Sequence, residues 1–441
     1  LKTPTGGPVT VSGPAGSQLV SMQLPFGSFT PGQPDVDVKV TASLSVNADV
    51  GAPLTVQAIP RFLLGNDPLD DPLTDPPIQG TTVSANLTPA LMLLSGRYLD
   101  PENETATGPN FPRRYQLDVD LATGQTVTDL DITEFLASSM QFLQVQETRV
   151  HGSLVATGAV ATPSLTTPGG VLTRRFASVT GQAGPDDASM IFQFYTPEFD
   201  SSGASVLQPN VGAPFVATHS AVSTAQWDPV DPRDNALQVT SNTVNFELFD
   251  RSLAIQKSVV NVNRTGAPGT NNSPTDTLEY TLSFQVSDFF AFQNLVVNDI
   301  LSDGQRFDPN FTPQLSISGN GFTLPEAPIA GANFTVTPNF TGGNPPPGSP
   351  DGTTGIEFRV SNEMIARGQN GRLVGGLIPA NGGSVQPAPG DGPTTGTIRF
   401  RAVIQKTFTD TPSSGAVVGQ GDIVSDTVSI RGDVLNNQTL A

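Results

Sequence analysis

YQLDVDLATGQTVTDLDITEFLASSMQF (115–142) aligns without a gap on YTLSFQVSDFFAFQNLVVNDILSDGQRF (280–307) of the same chain. Tyr115/Tyr280, Leu117/Leu282, Leu130/Leu295, Leu136/Leu301 and Phe142/Phe307 are identical, and apolar residues keep step between them. A second echo joins Ser241-Asn242-Thr243-Val244 to Ser425-Asp426-Thr427-Val428. Self-similarity over a domain-sized period marks an array of like modules rather than one large catalytic domain. Inside and around the copies apolar and polar residues alternate, as in VDVKVTASLSV (36–46), YQLDVDL (115–121), LEYTLSFQV (278–286), TIRFRAVI (397–404) and DTVSI (426–430). Such alternation, bounded by Gly, Pro, Asn and Asp, predicts an all-β chain of sandwich modules. EFLASSMQFLQ (134–144) has the composition of a short helix, but its copy contains Ser302-Asp303-Gly304, so the expectation there is a strand end and a turn.

Composition narrows the function. The 441 residues carry 40 Asp plus Glu against 21 Lys plus Arg, a net charge of −19, which opposes nucleic acid and anionic membrane surfaces as partners. Lysine occurs only at Lys2, Lys39, Lys257 and Lys406. The 44 Gly and 40 Pro lack a collagen period and read as turns between short strands. Cysteine is absent, which excludes disulfides, thiolate catalysis and Cys-based metal sites. No stretch is apolar enough for a membrane-spanning segment. The chain starts at Leu1 with neither Met nor signal peptide and reads as a segment of a longer or processed chain.

The repeat extends outward from the opening pair. Segments 19–46, 174–195 and 373–404 each run from a small-residue strand through Gly/Pro into an alternating strand. Each leads to a closing strand: TTVSANL (81–87), NTVNFEL (242–248) or DTVSIRG (426–432). Fresh opening strands follow the first two, at Leu91–Leu94 and Leu253–Val260. The predicted domains are a partial module, 1–88, holding only its back half; a β-sandwich module, 89–249; and a second complete β-sandwich module, 250–441. Either the sequence begins mid-domain or another chain supplies the missing front strands.

The motifs GSFTPGQPDVDVKVTASLSV (27–46), Lys-Ser-Val (257–259), Tyr-Thr-Leu (280–282) and LVVNDILSDG (295–304) give the chain a family resemblance. It resembles the tandem surface-repeat family of long bacterial exoproteins, long labelled a conserved repeat domain of unknown function. That family is related to the B-type stalk domains of collagen-binding adhesins. The resemblance covers most of the chain and implies tandem immunoglobulin-like β-sandwich modules. The modules here are longer than that family's pattern, which implies inserted loops such as 308–356.

One constellation carries chemistry. On the opening strand of 250–441, Leu253, Ile255, Lys257 and Val259 share a face, because strand side chains alternate. Leu295, Val297 and Asp299 share another, and Asp426, Val428 and Ile430 a third. Three strands thus aim a lysine and two carboxyls at one core, where an unpaired charge is very costly. The adhesin-stalk relatives use this arrangement to form an internal amide: a desolvated lysine attacks a carboxyl while a protonated acid polarises the acceptor. By resemblance, Lys257 is the nucleophile and Asp426 the acceptor of the crosslink, with Asp299 as the proton-handling catalyst; the two Asp roles are exchangeable. A snorkelling lysine or a non-covalent bridge fits the same residues. By the repeat, the module 89–249 holds Ser95, Glu134 and Asn242 at these places and contains no lysine, so the bond cannot form there.

Weaker candidates complete the reading. The loops NDPLDDPLTD (66–75) and DPVDPRD (228–234) offer Asp67, Asp70, Asp71, Asp228, Asp231 and Asp234 as calcium ligands, although neither has EF-hand spacing and solvated acidic loops are commoner. No other cofactor is implied. His151 and His219, the only histidines, suggest no triad; His151 reads as a half-buried strand residue and Trp227 as core. No paired-carboxylate or nucleophile–base motif recurs, so the expectation is not an enzyme. The function expected is a structural stalk or scaffold segment of an extracellular bacterial surface protein or filament, whose partners are neighbouring modules or copies of the same protein. The alternative is an adhesin module that binds a glycan or host-surface ligand through loops such as 340–355.

Overall fold

The computed structural model describes residues 9–14, 17–24, 32, 37–44, 48–62, 78–100, 105–184, 186–206, 215–229, 235–264, 272–340, 351–379, 382, 392–410, 413–419 and 421–441. Among the described residues before 88 the strands pair only in twos. β1 (Thr10–Ser12) pairs with β2 (Leu19–Ser21), β3 (Leu54–Ala58) with β6 (Val83–Leu87), and β4 (Arg61–Phe62) with β5 (Ile78–Gln79). Two-stranded ladders are marginal alone, and β1, β2, β3 and β6 are exposed along their length. The alternating stretch expected as a strand at 36–46 has no ladder over 37–44, its described part, because alternation makes a strand only where a partner strand is available.

From residue 92 onward the chain builds two sandwiches. In the first, one sheet has the order β11 (Ser153–Leu154), β10 (Gln141–Val150), β14 (Ala188–Tyr195), β8 (Arg113–Leu121), β7 (Met92–Tyr98). The facing sheet runs β12 (Gly158–Ala161), β13 (Gly170–Thr180), β9 (Thr126–Leu136), β15 (Phe215–Trp227), β16 (Leu237–Thr240), with β17 (Val244–Asp250) also on β15. Tyr115, Leu117 and Val119 of one sheet and Leu130, Ile132, Phe176 and Ala221 of the other fill a shared core.

The second sandwich repeats the plan. One sheet is β18 (Leu253–Asn261), β19 (Thr277–Val286), β27 (Thr394–Ile404), β22 (Gln314–Gly319), β23 (Phe322–Pro328), with β21 (Gln305–Phe307) on β27. The other is β24 (Phe334–Pro338), β25 (Thr354–Arg359), β20 (Ala291–Leu301), β26 (Leu373–Val374), with β28 (Asp426–Val434) on β20. Tyr280, Leu282, Phe284 and Phe400 meet Leu295, Val297, Leu301 and Phe358 between the sheets. Two antiparallel sheets packed face to face are the immunoglobulin-like arrangement, so the all-β fold read from alternation stands. One helical turn pair, α1 (Val360–Ala366), covers the end of β20. Residues 134–144 are the end of β9, a turn and the start of β10, as expected. His151 is in a left-handed turn (φ 47°) and not in a strand, with Nδ1 3.3 Å from an Asp187 carboxyl oxygen. Trp227 is buried in the core and donates Nε1–H to Gln125 Oε1.

The sandwiches are stitched together by residues 105–111, which lead into β8. Ala106 N donates to Gln285 Oε1 (2.9 Å), and the Thr107 and Ser287 hydroxyls are 2.8 Å apart. Asp288 accepts from Asn110 N (2.8 Å) and Nδ2 (2.9 Å), while its own N–H donates to Thr107 O. Burial pushes the Asp288 carboxyl up to about 6, against those hydrogen bonds. Ala106, Phe111 and Ala254 form a small apolar cluster alongside.

Candidate functional site

The three singled-out residues of the second sandwich come together. β18 lies at the edge of its sheet and pairs Lys257 with Leu282, so the lysine follows the inward face that also holds Ile255 and Val259. β20, the neighbour of β28 and β25 in the opposite sheet, turns Asp299 to the same interior; the carboxyl is 0% exposed. Asp426, the first residue of β28, pairs with Leu301. Lys257 Nζ stands 2.5 Å from Asp299 Oδ2 and 2.9 Å from Asp426 Oδ2, with the lysine side chain only 12% exposed. The Tyr280 ring lies 4.5 Å from Nζ to its centroid, and Phe400 lies 5.7 Å away, forming an aromatic floor.

Electrostatics separate the two carboxyls. Burial pushes Asp299 up to about 6, although Lys257 pulls it down and Asp426 adds to the rise. Its second oxygen, Oδ1, has no hydrogen-bond partner. Asp426, at the rim, keeps 17% side-chain exposure. An amine, a rim carboxyl and a buried carboxyl raised above its ordinary value, all within hydrogen-bond reach, are groups that can carry out acyl transfer to an amine.

The first sandwich carries a different set at the same register. Gly96, and not Ser95, pairs with Leu117 as Lys257 pairs with Leu282; Ser95 is exposed on the other face. A one-residue slip reverses a strand's faces, which is why the repeat alone misplaced it. Glu134 does match Asp299: each is 0% exposed, and they pair with Leu172 and Ala221, and with Ile356 and Val428, respectively. The third place belongs to His219 and not to Asn242. β15 takes the position beside β9 that β28 holds beside β20; Ser220 pairs with Phe135, which sets His219 at the level of Leu136 as Asp426 faces Leu301. Asn242 instead ties down β7, accepting from Leu94 N and donating to Leu94 O.

His219 Nδ1 is 2.6 Å from Glu134 Oε1, both side chains fully buried, and Nε2 is 2.9 Å from the Tyr98 hydroxyl. Burial raises the Glu134 carboxyl while His219 lowers it. The room a lysine would need above Gly96 is taken: a Cβ there would come within 2.5 Å of Tyr115 Oη and 2.7 Å of the Phe246 ring. Sequence reasoning missed His219 because the closing-strand motif falls on β28 in the second sandwich but on β17 in the first, where β15 takes the place beside β9.

Of the calcium candidates, Asp228 is exposed, and Asp67, Asp70, Asp71, Asp231 and Asp234 lie outside the described residues. Among the described residues no group of three or more His, Asp or Glu could hold a metal ion, and no helix is long and apolar enough to cross a membrane.

Neither a protein-family model nor a curated protein matches the chain. Solved structures do. Domains D2 and D3 of the major pilin SpaD from Corynebacterium diphtheriae match at 11% identity, over 76% of this chain and 88% of that one, with a TM-score of 0.24. The 35 kDa C-terminal fragment of the major pilin GBS80 of Streptococcus agalactiae matches at 10%, over 77% and 90%, with a TM-score of 0.25. The collagen binding domain of Erysipelothrix rhusiopathiae surface protein RspB matches at 10%, over 78% and 97%, with a TM-score of 0.18. Full-length SpaD is matched over 51% of its length (63% of this chain, 11% identity, TM-score 0.24). These are pilin and collagen-adhesin domains, the kind of protein to which the sequence resemblance points. At such TM-scores they carry no functional weight, and the chemistry of the chain's own residues decides.

Proposed function

We propose that this chain is a load-bearing segment of a bacterial cell-surface stalk or filament, and that its second sandwich closes on itself through a Lys257–Asp426 amide. The observation that carries the reading is the approach of Lys257 Nζ to both carboxyls in a nearly dry core. Asp299, the buried carboxyl held up to about 6, is suited to take a proton from Nζ and return it. The freed amine attacks Cγ of Asp426; the new C–N bond replaces one C–O bond, and two of the three Nζ protons leave with that oxygen as water.

The amide would join β18 to β28, the first and last strands of the sandwich, so tension entering at one and leaving at the other would pass through a covalent bond. It would also restrict the unfolded chain as a disulfide does, by about 5 kcal/mol for so long a loop. The hydrogen-bonded joint at Asp288 suits a stalk, since it transmits force between sandwiches instead of letting them swing. The test is intact mass and peptide mapping of the folded chain. A mass one water short, with a branched peptide containing Lys257 and Asp426, supports the reading; an unmodified mass removes it. Calcium on the Asp-rich loops stays a separate proposal, tested by a calcium-dependent rise in the unfolding midpoint.

A further inference from the structure

Gln305 is the buried polar group beside the crosslinking residues that the chemistry above does not use. It opens β21, pairs with Ile404 and is 1% exposed. Its Oε1 accepts from the Tyr280 hydroxyl at 2.5 Å, and its Nε2 donates to the carbonyl of Ser425 at 3.2 Å. Tyr280 is the floor under Lys257, and Ser425 immediately precedes Asp426. One side chain therefore ties the nucleophile's support to the acceptor's backbone.

That tie is well placed to matter. Asp426 is the first residue of β28, and 422–425 before it belong to no ladder. What fixes the acceptor carboxyl at its N-terminal side is the anchoring of Ser425, shared between Gln305 and Ser302, whose N–H donates to Ser425 O and whose hydroxyl accepts from Ser425 N. Burial and then the neighbouring Asp426 hold the Tyr280 hydroxyl above its ordinary range, so it stays a proton donor to Gln305.

A buried glutamine satisfied by its neighbours could serve the fold alone. The first sandwich argues otherwise. The gapless repeat that matches Tyr115 to Tyr280 matches Met140 to Gln305. Met140 is fully buried, Tyr115 is retained, and its hydroxyl has no hydrogen-bond partner. The same sandwich has Gly96 where Lys257 stands. The fold thus tolerates the loss of the glutamine, even at the expense of an orphaned hydroxyl, in the copy that has no amine to position.

We infer that Gln305 is a positioning residue for amide formation, holding Asp426 against Lys257 through Tyr280 and the Ser425 carbonyl. The inference rests on the amide proposed above. Misplacing a reacting group by a fraction of its approach distance costs on the order of a hundredfold in rate. Cell-free synthesis of the full chain, sampled over time by intact mass, follows the water loss directly. Gln305→Met, which copies the first sandwich, is expected to slow that loss about 10- to 100-fold. Tyr280→Phe, which leaves the Ser425 contact in place, should slow it less. Thermal unfolding in a Lys257→Met background separates positioning from folding: Lys257→Met and Lys257→Met/Gln305→Met should have closely similar midpoints. Water loss at the wild-type rate in Gln305→Met overturns the inference and leaves the amide standing. So does a midpoint drop in the Lys257→Met background as large as the one Gln305→Met causes alone. A wild-type chain that never loses water overturns the amide and the inference together.

Discussion

At one register the two sandwiches solve the same problem in two ways. Each buries a carboxyl on the central strand of its second sheet, Glu134 in one and Asp299 in the other, with no exposure to water. Each must therefore supply a partner, because an isolated buried carboxylate is not tolerated. The first sandwich supplies His219 from a neighbouring strand of the same sheet and fills the remaining space with Tyr115 and Phe246 over Gly96. The second supplies Lys257 from the opposite sheet, with Asp426 and Gln305 beside it. The comparison teaches that the buried carboxyl is common to both sandwiches, whereas the amine, the second carboxyl and the glutamine occur only in the one for which the amide is proposed.

The largest expected effect comes from deleting the amine. Lys257→Met should abolish any water loss and lower the stability of the second sandwich by about 5 kcal/mol, read by calorimetry, while leaving the first unchanged. Removing the partner in the other sandwich should cost nearly as much. His219→Ala strands Glu134 in the core, and a loss of about 3–5 kcal/mol confined to residues 92–250 is expected by hydrogen exchange. Equal losses in both sandwiches would break the claim that the two sites are independent.

A pH measurement sharpens the contrast. In Lys257→Met, Asp299 loses the attraction that lowers it, so its folded value moves above about 6. A folded value above the unfolded one gives stability that is present below the unfolded value and lost as pH rises through the folded value. The variant should therefore be about 1–3 kcal/mol more stable near pH 5 than near pH 8. Stability that instead rises with pH would show that Asp299 is ionised in the core. The smallest effect is expected from Gly96→Ala, about 1–3 kcal/mol from pressing a methyl against Tyr115 and Phe246. A neutral result there would mean that the packing over Gly96 yields, and that a lysine could be accommodated in the first sandwich after all.

Much of this was legible in the sequence, for identifiable reasons. Alternation placed β8, β19, β27 and β28, and put Lys257, Asp299 and Asp426 on inward faces of strands that meet. The gapless repeat matched Glu134 to Asp299 because β9 and β20 have the same length and follow turns of equal length. It failed at Ser95 by one residue, since the similarity begins at Tyr115 and β7 lies outside it. It failed at Asn242 because a closing-strand motif was followed, whereas the fold gives that place to β15. Alternation at 37–44 led to an expected strand that pairs with no other strand among the described residues. The repeat holds one further signal: Gln305 is a polar residue where the other copy has the apolar Met140, and it lies beside Tyr280 and Ser425.

The most direct test of the account is peptide mapping of the native chain by mass spectrometry, taken over both sandwiches. The account predicts one branched peptide, lighter by a water, that joins the strand of Lys257 to the strand of Asp426, and only linear peptides from 92–250. Linear peptides throughout, or a branch that leaves Lys257 free, would contradict it.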